Sequence, residues 1–177
     1  MADLDIGQTT TTDLKGNLKD FSVSARVPDS ATGTGETFWD YPDSSTYLGY
    51  YDSIPEINSV VNALSIWVAG KGFMADIRTT NRLRTIRGWG EDSFQAICMK
   101  LIREKKIFGD AFCEIVRLGN KKDGELINFK PLYPGDMRVI VDEQGLVDHY
   151  EQRSHAPGGQ SKRFEPWRLL HVVNNRM

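Results

Sequence analysis

The side chains that could act in catalysis or bind a metal ion are few and scattered along this chain. Cys98 and Cys113 each lie in an apolar stretch, without a second cysteine or a histidine at metal-ligand spacing, which is typical of buried free thiols. His149, His155 and His171 fall on a predicted strand, in a polar loop and on the last predicted strand, and none belongs to a known catalytic signature. The sequence therefore predicts no catalytic residue, no cofactor-binding residue, no metal ligand and no cofactor.

The glycines and the acidic pairs give no sign of enzymatic chemistry either. The sequence contains no G-x-x-x-x-G-K-[ST] loop, and the isolated Gly88-Trp89-Gly90 is too short to indicate a dinucleotide site. The neighbouring acids Glu91-Asp92 and Asp142-Glu143 fall in a first helical turn and in a tight turn, where local backbone hydrogen bonds explain them. We predict that the chain is not an enzyme. A hydrolase built on two carboxylates stays open as an alternative, because pairing in space is invisible in sequence.

Basic residues are the remaining candidates for binding. Arg82, Arg84 and Arg87 stand close to Trp89, and they could contact a phosphate backbone or an acidic neighbouring subunit, although loop arginines are most often solvated. Residues 1–52 hold 9 acidic and 3 basic residues, whereas residues 53–177 hold 15 acidic and 19 basic residues. Tight duplex binders neutralise roughly 6 to 10 phosphates from a concentrated basic face. A small surplus spread over the body therefore predicts only weak, non-specific contact with DNA.

Composition places the chain among single-domain globular proteins. It has 177 residues, of which 40% are hydrophobic and 26% are charged. The longest apolar stretch, residues 60–70, is interrupted by Asn62 and Ser65 and is shorter than the roughly 18 residues that span a bilayer. The N-terminus is acidic and lacks the pattern of a secretory signal, so we expect the chain to fold in the cytoplasm without a membrane partner.

The chain divides into a polar arm and an α+β body. Residues 1–34 are rich in Thr, Asp, Ser and Gly and have no sustained period, which predicts a flexible acidic N-terminal arm. Residues 35–177 form the predicted domain. Residues 38–51 crowd six aromatic side chains without an interleaved base, which favours an extended segment covering the domain surface over a platform for stacking bases.

Two helices are expected in the first half of the body. Ser53 and Glu56 have capping-box spacing, and a helix should run from there to about Gly70 with a stripe of apolar residues: Ile57, Val60, Val61, Leu64 and Val68. In residues 73–78, the side chains Phe73, Ala75 and Ile77 alternate with Met74, Asp76 and Arg78, which predicts a short half-buried strand. Residues 79–90 are predicted to form a loop or a short irregular helix. A second helix is predicted over residues 91–106, ending at Gly109.

The second half reads as β-structure. Short segments bounded by turn residues predict strands at 111–118, 125–132, 137–142, 146–153 and 169–173. Their short connections indicate a mainly antiparallel meander. Two helices followed by a run of strands define an α+β domain.

The order of these segments resembles the portal, or head–tail connector, proteins of tailed bacteriophages. The resemblance rests on residues 109–117 (GDAFCEIVR) after the second helix, on residues 132–139 (LYPGDMRV), on the glycine turn at 142–145 leading to Tyr150, and on residues 164–172 (FEPWRLLHV). It covers about residues 45–177, and the order and spacing of the motifs are more specific than any one of them.

The resemblance implies a wing-type domain of a structural ring subunit. Such a ring is built of copies of one subunit, usually twelve. It lies at one capsid vertex of the virion after assembly in the host cytoplasm. It forms the conduit for packaging and ejecting DNA, which passes through non-specifically. The implied partners are the terminase large subunit, the major capsid or scaffold protein, and the head–tail adaptor.

Portal proteins are typically more than twice as long as this chain. Their stem, clip and crown follow the matched region, so we expect a truncated chain or a fragment, and we carry over no DNA-facing residue. The alternatives are another phage structural or head–tail adaptor protein with an α+β body, and an unrecognised enzyme.

Overall fold

The fold is seen in a computed structural model that describes residues 30–31, 37–142, 144–154 and 159–173. For residues 30, 31 and 37 only the backbone is described. The predicted arm over residues 1–34 lies outside the described residues except for Ser30–Ala31, which form a short strand.

Four helices and eight strands make up the described part of the chain. The helices are α1 (Ser44–Ser53), α2 (Pro55–Ala69), α3 (Ile77–Leu83) and α4 (Phe94–Phe108). The strands are β1 (Ser30–Ala31), β2 (Thr37–Trp39), β3 (Asp110–Arg117), β4 (Leu126–Leu132), β5 (Met137–Val141), β6 (Val147–Gln152), β7 (Lys162–Phe164) and β8 (Leu169–Val173).

The strands form two antiparallel sheets. One sheet has five strands in the order β1-β2-β5-β6-β7, and the other has three in the order β4-β3-β8. The α+β class and the five predicted strands are confirmed. The single meander is wrong, because the turn Pro134–Asp136 takes the chain from β4 in one sheet to β5 in the other, and β8 returns to pair with β3.

Strand β3 is buried on both faces. Its alternate residues Ala111 and Cys113 face a cluster with α4 that includes Ile97 and Leu101. Phe112 points the other way, into the core that the two sheets share. The domain is therefore layered, with helices on one face of the three-stranded sheet and the five-stranded sheet on its other face.

Two acidic residues flank Phe112 on the face of β3 that meets the five-stranded sheet. Both Asp110 and Glu114 are buried. Glu114 is held by Lys162 on β7, whose Nζ lies 3.0 and 3.1 Å from its two carboxylate oxygens, and by Arg168 at 3.2 Å. A buried carboxylate needs such partners to offset its loss of hydration. These contacts fasten the edge of one sheet to the other.

Helix α4 matches the predicted second helix, with both ends shifted by two or three residues. Ser93 caps its N-terminus by accepting a hydrogen bond from the Ala96 amide at 3.1 Å, so Glu91 and Asp92 precede the helix. Gly109 ends it with a φ of 88°, a conformation that favours glycine.

The capping box at Ser53 is wrong. Ser53 is the last residue of α1, and Ile54 caps α2 with an extended backbone (φ −108°, ψ 103°) and no side-chain cap. Pro55 explains this, because the residue before a proline is driven out of the helical region and Pro55 itself occupies the first helical position.

Two other local predictions are also wrong. Residues 44–53 form α1 rather than an extended segment, because packing overrides their weak helix propensity: Ser44 is buried and Tyr51 donates a hydrogen bond to Asn62 on α2. The strand at residues 73–78 is absent. Asp76 instead caps α3, accepting hydrogen bonds from the amides of Arg78 and Thr79.

We expect the variant Phe112→Ala to lower the free energy of unfolding by about 3–5 kcal/mol, because it empties the centre of the core between the sheets. Denaturant unfolding followed by far-ultraviolet circular dichroism measures the change. The control Ile127→Ala, on the exposed part of β4, should cost less than about 1 kcal/mol. Equal losses in both variants would contradict the layered core.

Candidate functional site

His171 belongs to a buried polar network rather than to an accessible site. Its ring stacks on Phe112 with centroids 4.4 Å apart, and its Nδ1 lies 3.3 Å from the Tyr150 hydroxyl. Its Nε2 lies 3.8 Å from Asp110, whose carboxylate also accepts a hydrogen bond from Tyr41. All of these side chains are buried or nearly so, which makes the network a joint between the two sheets.

His149 is buried on β6 between two carboxylates. Its Nδ1 lies 2.6 Å from Asp148 and its Nε2 lies 3.5 Å from Glu151, while Asp148 also contacts Arg163. No hydroxyl or thiol nucleophile is among these contacts. The ion pair between Asp148 and Arg163 links β6 to β7. His155 lies outside the described residues.

The two thiols are poor nucleophiles. Burial, together with the nearby Glu104, raises the pKa of Cys113 to about 12. Cys98 is half-buried, and burial raises its pKa as well. Because the thiolate is the reactive form, both side chains are suited to packing rather than to chemistry.

The two buried acids of β3 do not converge on one point. Asp110 and Glu114 are four residues apart along β3, a separation of roughly 13 Å, and each has its own donors. Asp142 accepts hydrogen bonds from the amides of Gln144 and Leu146, as expected of a turn, while Glu143 lies outside the described residues. Among the described residues, no three His, Cys, Asp or Glu side chains are arranged to hold a metal ion.

The basic residues of the body are concentrated in one segment of the sequence. Residues 71–90 contain five basic residues and one acidic residue, and the rest of the body (residues 53–70 and 91–177) contains 14 of each. The net positive charge of the body is therefore confined to α3 and the loops around it. This corrects the expectation of a charge spread over the whole body.

The residues of this basic segment play different parts. Arg82 pairs with Glu125, and Arg87 donates hydrogen bonds to the backbone oxygens of Arg84 and Ile86. Trp89 is fixed by a 2.7 Å hydrogen bond from its indole nitrogen to the Pro131 oxygen. The loop is thus held against the three-stranded sheet, and Arg84 is exposed on it.

Helix α2 exposes several large apolar side chains on one face. Val60, Trp67 and Val68 are 58, 79 and 67% exposed, and Ile57 is also exposed. These four side chains, which we call the outer face of α2, lie within about 100° of arc on a helix of 3.6 residues per turn. Contiguous apolar surface of this kind marks interaction sites.

The inner face of α2 is made of small or medium-sized side chains, both apolar and polar: Val61, Ser65 and Ala69 are buried. Ser65 is fully buried, and its hydroxyl donates a hydrogen bond to the Asn62 backbone oxygen at 2.7 Å. Asn62 donates to Asn58 at 2.7 Å and accepts from Tyr51 at 3.1 Å. These side chains pack α2 closely against α1 and α4. Of the predicted apolar stripe, Val61 faces inward with these side chains, whereas Ile57, Val60 and Val68 face outward.

Apolar periodicity alone therefore assigned the wrong face of α2 to the core. A second signal was present in the sequence, because residues 55–69 contain no lysine or arginine and only one acid, Glu56. A helix without a charged face is usually covered on all sides. None of the helices in the described part combines the length and apolarity needed to cross a membrane.

Comparison with known proteins shows the fold. No protein-family model matches the sequence, and no curated protein matches it. Several solved structures share the fold. The neck of a native gene transfer agent particle, computed with C12 symmetry, contains a chain that matches with a TM-score of 0.62 and 17% identity, over 78% of this chain and 37% of that chain.

Two further structures of such particles agree with it. The virion of the native gene transfer agent matches with a TM-score of 0.62 and 16% identity, over 92% of this chain and 41% of that chain. The neck of the empty particle, computed with C6 symmetry, matches with a TM-score of 0.62 and 16% identity, over 78% and 38% of the two chains. This chain therefore spans about two fifths of the length of the chains it matches.

Glu104 is the one buried acid on α4. Burial raises its pKa to about 7, although Lys100, 3.9 Å away, and Arg103 both lower it. The oxygen Oε2 of Glu104 is buried without a hydrogen-bond partner among the described residues. An ionised carboxylate in such a place weakens the fold.

We expect Glu104→Gln to change how stability depends on pH. The folded-state pKa of about 7 exceeds the ordinary 4.5, so the contribution of Glu104 to stability is fully present below pH 4.5 and is lost as the pH rises through 7. Between pH 4.5 and pH 8, the free energy of unfolding of the variant should rise by on the order of 1–3 kcal/mol relative to that of the natural chain. Urea unfolding at both pH values measures this gain.

The matched control is Glu165→Gln, which replaces an exposed carboxylate. Its free energy of unfolding, relative to that of the natural chain, should change by less than about 0.5 kcal/mol over the same pH range. A gain at Glu104 that is no larger than at Glu165 would show that the Glu104 carboxylate is well solvated.

Proposed function

We propose that this chain forms the wing-type part of a portal ring subunit in a tailed-phage or phage-like particle. In this role it is structural and carries out no catalysis. The proposal is supported by the order of the sequence motifs and by the fold that the chain shares with chains from gene transfer agent necks and virions. The chain would be located at the portal vertex of the virion, and the particle would be assembled in the host cytoplasm.

The observation that carries the proposal is the outer face of α2. Ile57, Val60, Trp67 and Val68 expose apolar surface on a rigid helix whose other face is fixed by hydrogen bonds to α1. Two of the matched necks were computed with C12 and C6 symmetry, so their subunits are arranged in rings. In a ring, one surface of each subunit meets a different surface of the next. We assign the outer face of α2 to this contact with a second copy.

The remaining functions follow from a ring at the capsid vertex. The ring, a dodecamer, would be the conduit for DNA during packaging and ejection. It would dock the terminase large subunit first, the head–tail adaptor later, and the major capsid or scaffold protein around its rim. DNA would pass without sequence-specific contact to this domain, because the body's excess of positive charge is small.

The α2 surface can be tested in the isolated chain. We expect the natural chain to self-associate with rising concentration, and Trp67→Asp to shift the equilibrium toward monomer by at least about tenfold in the association constant, since it places a charge in an apolar contact. Sedimentation velocity over a range of concentrations measures this. Thermal unfolding of the variant should be unchanged, because Trp67 is 79% exposed.

The matched control is Leu146→Asp, which adds the same charge at an exposed leucine next to β6. It should associate as the natural chain does. The assignment of α2 is wrong if Trp67→Asp and Leu146→Asp associate alike, or if the natural chain remains monomeric at every concentration tested.

A further inference from the structure

A groove lies between α3, the start of α4 and the loop after α2. Its volume is about 330 Å³. Phe73, Leu83 and Phe94 supply its apolar lining, with the rings of Phe73 and Phe94 at right angles and 5.0 Å apart. Thr80, Ser93 and Gln95 add polar side chains. The groove is distinct from the outer face of α2.

The charged residues that line the groove are all basic. Lys71, Arg84 and Arg87 contribute three cations, and no carboxylate is part of the lining. All three side chains are exposed. In the described part of the chain no carboxylate lies within ion-pair distance of any of them, whereas the neighbouring Arg82 is paired with Glu125. The groove therefore combines an apolar lining with cations that have no carboxylate partner among the described residues.

This combination suits a peptide that alternates acidic and apolar residues. A bare phosphate backbone would use the cations but leave the apolar side chains without a partner. In an extended peptide successive side chains point to opposite sides, so acids and apolar residues at alternate positions can contact two different walls.

We propose that the groove binds residues 1–14 of this chain, from the same or a neighbouring copy. This segment (MADLDIGQTTTTDL) contains three aspartates and no basic residue, and Asp3-Leu4-Asp5-Ile6 alternates acidic and apolar side chains. Asp3 and Asp5 would pair with Lys71, Arg84 and Arg87, while Leu4 and Ile6 would cover the apolar lining.

Neither charge nor chain length opposes this assignment. The other acidic stretch, residues 36–52, lies almost wholly in described structure, where Asp40 contacts Arg138 and Arg153. From Ser30 on β1 back to residue 14, an extended chain can reach about 50 Å.

This contact does not depend on the proposed ring, because a single chain or a pair of chains can make it.

Zero-length crosslinking of the full chain with a carbodiimide tests the proposal. This reagent joins a carboxylate only to an amine that is in contact with that carboxylate. Mass spectrometry should find Asp3 or Asp5 linked to Lys71 at least about fivefold more often than to Lys121 or Lys122, which are also exposed but lie outside the groove. The links should fall as salt is raised, because exposed ion pairs are screened. A mixture of isotopically labelled and unlabelled chains tells links within one copy from links between copies.

Substitution in the groove provides the matched comparison. Arg84→Gln should reduce the link to Lys71 by at least about threefold, and Lys121→Gln should leave it unchanged. Thermal unfolding of both variants checks that they remain folded.

Three results would overturn the proposal. The first is an even distribution of links among the exposed lysines, and the second is the absence of any link to Lys71. The third is a labelled DNA duplex that binds the natural chain, loses affinity in Arg84→Gln and meets no competition from a synthetic peptide of residues 1–14. That outcome would make the groove a phosphate-binding site.

Discussion

The burial of β3 on both of its faces is the constraint on which the rest of this fold depends. A strand whose alternate residues Ala111 and Cys113 face α4, while Phe112 faces the five-stranded sheet, needs a cover on each side. The helices provide one cover and the second sheet the other. The two acids beside Phe112 then need partners in the buried layer, and these come from Tyr41, His171, Lys162 and Arg168. The histidine and the carboxylates that could have suggested catalysis are in this way explained by the joint between the sheets.

The same layering accounts for the surface of α2. Helix α4 already covers the three-stranded sheet, so α2 packs in an outer layer against α1 and α4 through Asn62, Ser65 and Ala69. Small and hydrogen-bonded side chains permit close packing there. The larger apolar side chains, Trp67 and Val68 among them, are left on the outside. Hydrogen bonds on the inner face hold α2 against α1 beneath this exposed surface.

Local signals in the sequence predicted much of the fold. Helix α4 was found from its period and from Gly109, and five strands were found from turn residues that bound them. Long-range choices were not predictable, because no local signal says that β5 joins β2 in a second sheet while β8 returns to β3. The face that α2 buries was misjudged for a related reason. Periodicity identifies an apolar stripe but not what covers it, and the absence of lysine and arginine from residues 55–69 was the signal that neither face of the helix is basic.

We propose above all that the chain is a ring subunit whose α2 helix contacts the next copy. Electron cryomicroscopy of assembled particles that carry this protein measures it most directly. We expect a twelvefold ring in which Trp67 of each subunit is buried against its neighbour. A protein found outside the ring, or a ring in which Trp67 faces solvent or is covered by its own polypeptide, would contradict the account.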